Sequence, residues 1–124
     1  MKQYAYKVVE LNYDGKLVST AALNKTIYLL NRFVSRKEGF GPLCLFKTRE
    51  AARKYKRYIN VHTVTKKFVI YKSEYLPSED IRIWEFGRSS TIEYQAILFA
   101  EQDVNITEKD FVLADKVKLL RKVY

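Results

Sequence analysis

The chain is poor in the residues from which catalytic, metal and disulfide sites are usually assembled: its 124 residues include one cysteine and one histidine. A single cysteine excludes an internal disulfide framework. Cys44 sits in the apolar run Leu43-Cys44-Leu45-Phe46, where a lone thiol reads as a small buried hydrophobe, and it points to a reducing, cytoplasmic setting. A Cys44–His62 pair would lack the third group that orients a base, so no catalytic residue is assigned. Zinc spacings, a phosphate-binding glycine loop and a nucleophile elbow are all missing, and neither a cofactor nor a metal is expected. Asp14-Gly15-Lys16 reads as a hairpin turn, and the adjacent Glu79 and Asp80 offer too few oxygens for a hard cation.

Glycine and proline are scarce as well, four and two, and they fall at positions that read as turns. With no repeat, low-complexity tract or linker, residues 1–124 are expected to form one domain, long enough to bury about two-thirds of its unfolded surface. The opening Met1-Lys2-Gln3-Tyr4-Ala5-Tyr6-Lys7 has no signal-peptide apolar core, and no stretch approaches the roughly 18 apolar residues of a membrane span. No membrane partner is expected.

What the chain does have is aromatic residues and positive charge. Ten tyrosines and seven phenylalanines suit a pleated, half-buried surface. The charge falls in blocks: residues 1–72 carry 16 Lys/Arg against 4 Asp/Glu, residues 73–113 carry 3 against 9, and the last eleven residues return +3. A basic surface beside an acidic one implies an anionic partner for the first, whether nucleic acid, nucleotide or acidic protein.

Tyr4-Ala5-Tyr6-Lys7-Val8-Val9 reads as a strand that turns at Asp14-Gly15 into Leu17–Ala21. Residues 23–34 carry both helical and strand signals, with strand preferred. Leu43–Phe46 is a buried strand, and Thr48 caps the helix that follows, about 48–60, with Ala51, Ala52, Tyr55 and Ile59 as its inward stripe. Lys67–Lys72, Ile81–Phe86 and Thr91–Phe99 read as further strands, Thr107–Asp110 as one helical turn, and Lys116–Val123 as the strand that closes the sheet. The expected fold class is α+β, a mostly antiparallel sheet with one main amphipathic helix.

The opposite face of that helix carries Arg49, Arg53, Lys56 and Arg57, and Lys47, Lys66 and Lys67 extend the patch, with Glu50 the only acid between residues 47 and 67. Cations one turn apart can neutralise successive phosphates, although such a face also serves simply as a solvated surface. A second candidate is the alternating run Arg82, Trp84 and Phe86, which would stack a base and grip a phosphate if exposed and would be core if not.

Gly39-Phe40-Gly41 and Leu43–Phe46, followed by Thr48-Arg49-Glu50-Ala51-Ala52, resemble the third strand and second helix of an RNA-recognition motif, departing from its signature at Glu38 and Pro42. More broadly, Tyr6–Val9, Gly15–Ser19, Gly41–Ala52 and Ala114–Arg121 resemble a group of small proteins of prokaryotes and their viruses, a likeness that brings no activity. That likeness implies a viral or mobile-element accessory that acts by binding, for instance against a host defence.

Two functions therefore remain open. One is a non-enzymatic protein whose basic helix engages nucleic acid or a nucleotide. The other is a protein-interaction module whose complementary charges serve homo-oligomerisation or inhibition of an acidic host protein.

Overall fold

A computed structural model describes residues 1–20, 26–37, 41–63, 65–85 and 88–124. The chain opens with β1 (Gln3–Leu11), which turns into β2 (Leu17–Ser19) and pairs with it antiparallel from Leu11↔Leu17 to Val9↔Ser19. The expected Asp14-Gly15 turn makes this hairpin. Gly15 takes φ 85°, a left-handed conformation open to glycine at little cost, and its N–H donates to the Asn12 carbonyl at 2.9 Å. The hairpin puts no helix between β1 and β2, where an RNA-recognition motif carries its first.

Of the ambiguous segment 23–34, residues 23–25 lie outside the described residues. The remainder includes the two-residue strand β3 (Ile27–Tyr28), which joins β2, and the start of β4 (Phe33–Ser35).

Four strands close a ring. β1 pairs antiparallel with β5 (Leu43–Phe46) and with β6 (Lys67–Pro77), while β9 (Phe111–Val123) pairs with the same two strands. Ala5, Val9, Leu43, Leu45, Val69, Val112, Ala114, Val117 and Leu119 come from all four and form one buried cluster, so their shared face is the inside of the ring. Closing so few strands demands strong bending, and β9 supplies it with two register shifts against β6, at Asp115 and at Leu120. Arg36 holds the first shift: its N–H donates to the Asp115 carbonyl at 2.8 Å, and its guanidinium reaches the Asp115 carboxylate at 3.2 Å and that of Asp80 at 3.3 Å. β4 lies along the later part of β9, from Phe33↔Lys118 to Ser35↔Lys116.

A second cluster lies on the outer face of this sheet, where Val8, Phe46, Phe68 and Ile70 meet Ala51 and Ala52 of α1 (Arg49–His62). The strand expected over Thr91–Phe99 is instead a helix, α2 (Ile92–Glu101), shorter than the main helix α1. This run is rich in apolar and aromatic residues and shows neither a clear two-residue nor a clear 3.6-residue period. Its cap decides the outcome: Thr91 Oγ1 accepts from the Tyr94 N–H at 3.1 Å, and Glu93 sits at the positive end of the helix. α2 buries Gln95 and Phe99, and the Phe99 ring packs edge-on against Tyr58 at 5.4 Å.

The strand read at Ile81–Phe86 is β7 (Arg82–Glu85), which pairs with β8 (Arg88–Thr91) as a ribbon outside the seven-stranded sheet. A single 3-10 turn, Glu108–Asp110, precedes β9 as expected. The architecture is α+β with a predominantly antiparallel sheet. Among the described residues no helix is long and apolar enough to cross a membrane.

Candidate anion-binding face

Thr48, in extended conformation, starts α1 by accepting the Ala51 N–H at 3.1 Å, and the alanines that follow let the helix lie close on the sheet. Tyr55 is held in place by its neighbours: its ring lies 5.1 Å from Phe46 and 6.1 Å from Phe99, and its hydroxyl is 3.1 Å from Thr20 Oγ1. Tyr58 and Ile59 complete the inward side. With those positions committed to packing, the helical period turns Arg49, Arg53, Lys56 and Arg57 away from the core. Arg49 and Arg57 are exposed, whereas Arg53 and Lys56 are half-buried.

No Asp or Glu side chain among the described residues lies within ion-pair reach of these four. Arg53 donates to the backbone carbonyl of Tyr124, and the Lys122 ammonium sits 5.3 Å from the Tyr124 ring centre. The α1 face is thereby joined to the end of β9, where Arg121 and Lys122 are exposed. Arg121 stands directly opposite Lys72 of β6, and Lys72 lies 5.4 Å over the Tyr4 ring. Like charges facing across a sheet repel, so an anion placed there would relieve them. Lys72, Arg121 and Lys122 were not singled out in the sequence. The positive balance of the last eleven residues is the signal that points to them.

The remaining candidates are dispersed. Lys47 is exposed just before the helix cap, and Lys67 is exposed as the first residue of β6. Lys66 spends its charge on Glu10, 3.5 Å away and largely buried. Arg82 is exposed at the start of the β7–β8 ribbon, with its N–H donating to Asp80 at 3.1 Å. Trp84 pairs through its backbone with Ser89, while the Trp84 side chain and Phe86 lie outside the described residues. Among the described residues no group of three or more His, Cys, Asp or Glu could hold a metal. Cys44 is half-buried on β5 opposite Leu113.

One cation lies where the sequence reading had none. Lys7 shares the inner face of β1 with Ala5 and Val9 and is 6% exposed. Its ammonium donates to the Cys44 carbonyl at 2.6 Å and sits 5.8 Å from the centre of the Tyr28 ring. Loss of water pushes the Lys7 pKa down, and the nearby Cys44 thiol opposes this in part. The same burial pushes Tyr28 up, and its hydroxyl has no hydrogen-bond partner among the described residues.

No family model, curated protein or solved structure matches this chain.

Proposed function

We propose that the chain is a non-enzymatic, intracellular binding protein that engages a nucleic-acid backbone through α1. The observation that carries this reading is the set Arg49, Arg53, Lys56 and Arg57, four cations on one helix side with no carboxylate side chain to satisfy them among the described residues. They extend along about 12 Å of helix axis at 1.5 Å per residue, a length that spans several phosphates of either a duplex or a single strand. Such an exposed, elongated face fits a polymer better than a single nucleotide, which binds within a concavity. Arg121 and Lys72, opposite each other on β9 and β6, add positive charge beyond the helix.

The test is a salt series. Binding to a labelled oligonucleotide, followed by fluorescence anisotropy, should weaken steeply as salt rises because each contacted phosphate releases counterions. The quadruple variant Arg49→Gln, Arg53→Gln, Lys56→Gln, Arg57→Gln should lose about three units from the slope of log K against log salt. An unchanged slope in that variant would refute the assignment.

A further inference from the structure

Seven of the ten residues of α2 are apolar or aromatic, and a helix of that composition is ordinarily covered over most of its surface. Here only Gln95 and Phe99 are buried, while Tyr94 and Ile97 are 53% and 56% exposed. Ile97, Ala100 and the buried Ile106 line a groove of about 630 Å³ between α2 and the segment after it, and Glu93, Asp103 and Glu108 line it too. Those three carboxylates are exposed. An apolar groove with an acidic rim calls for an occupant that carries an apolar anchor beside a cation. Two copies of α2 packed on each other would set these carboxylates face to face, which argues against that arrangement.

The complement is present on the same chain. Arg57 and Val61 lie one turn apart on α1, both exposed, Val61 to 74%. They also lie near the groove, since Lys54, on the same helix, donates to the Asn105 carbonyl at 3.2 Å and Asn105 lines the groove wall. A basic stripe and an acidic groove side by side on one molecule are what a two-fold axis requires, because each copy then offers both halves of the contact.

We propose that the α2 groove receives the Arg57–Val61 stripe of a second copy of this chain, with both grooves filled reciprocally about a two-fold axis. This goes beyond the nucleic-acid reading and shares only Arg57 with it. Sedimentation velocity on the full chain should show a two-chain species at low salt that recedes as salt rises. Arg57→Glu should be monomeric, as should the pair Glu93→Arg with Glu108→Arg. An equimolar mixture of the two variants should recover the two-chain species, since each reversed stripe then meets a reversed groove and each native stripe a native one. Should the reversals fail to fold by circular dichroism, Glu93→Gln with Glu108→Gln is the fallback, expected to weaken association about tenfold. A one-chain mass for the native protein at every salt and concentration would overturn the proposal, as would a two-chain species that both reversals leave intact. Groove variants keep the α1 cations, so unchanged oligonucleotide binding by them separates failure of this contact from failure of the nucleic-acid reading.

Discussion

Replacing Lys7 with methionine should alter how stability depends on pH more than it alters stability at any single pH. At fixed pH two effects oppose each other. The variant no longer buries an ammonium, and exchanging a buried charge for an apolar side chain of similar volume is often neutral or favourable by about 1–4 kcal/mol. It also removes the 2.6 Å hydrogen bond from the ammonium to the Cys44 carbonyl, a loss of about 1.5–3 kcal/mol for a bond to a charged group. The two nearly cancel.

The pH profile does not suffer this cancellation. Lys7 is depressed in the folded state by burial, so between its folded pKa and about 10.5 the unfolded chain binds the extra proton. Native stability must therefore rise with pH through that window, by at most about 1.4 kcal/mol per unit, and level off below the folded value, where both states hold the proton. Urea denaturation from pH 6 to 9.5 keeps clear of tyrosine ionisation. Subtracting the Lys7→Met curve from the native curve removes the titrations that do not interact with Lys7 and leaves the contribution of Lys7 together with its coupling to Cys44. A difference curve that falls as pH rises would refute the reasoning, because it would require Lys7 to be raised in the folded state.

The neighbouring Tyr28→Phe should raise stability by about 1 kcal/mol in the same assay, because it deletes a buried hydroxyl that has no partner among the described residues. Since burial raises the Tyr28 pKa, native stability should fall as pH climbs above about 10, and the Phe variant should lose that component. Thr48→Ala removes the cap of α1 and should lower stability by about 1 kcal/mol, with far-UV circular dichroism reporting the loss of helix. Phe99→Ala empties the junction of Tyr55, Tyr58 and Phe111 and should lower stability by about 3–5 kcal/mol in urea.

Local signals in the sequence were legible where one residue has one physical use. Asp14-Gly15 demanded a tight turn, and Thr48 ahead of the alanines demanded a helix start; both stand as expected. At Thr91–Phe99 the mixture of apolar and aromatic residues hid the period, and the capping threonine and the following Glu93 were the better guide. Lys7 was readable in principle, because it alternates in phase with Ala5, Val9 and Leu11, but a lysine in that phase is usually solvated and only the ring encloses it. Ring closure itself depends on pairings between distant segments that local propensity does not encode. For the site, the helix face was legible from spacing, whereas the neutralisation of Lys66 by Glu10 and the meeting of Arg53 with Tyr124 at the end of β9 depend on how distant segments pack.

The ring also sets the order in which the molecule can be made. β1 pairs with β6 and β5 with β9 across about seventy residues of chain, and both halves of the circuit need β9. A nascent chain can form the first hairpin and the beginnings of α1 early, yet the inner cluster stays open until Val112, Ala114, Val117 and Leu119 have been synthesised. Sequence separation of this kind slows folding toward roughly the millisecond-to-second range and leaves apolar strand faces uncovered meanwhile. During synthesis, then, the inner face of β1, which carries Lys7 beside Ala5 and Val9, stays open until β9 completes the ring.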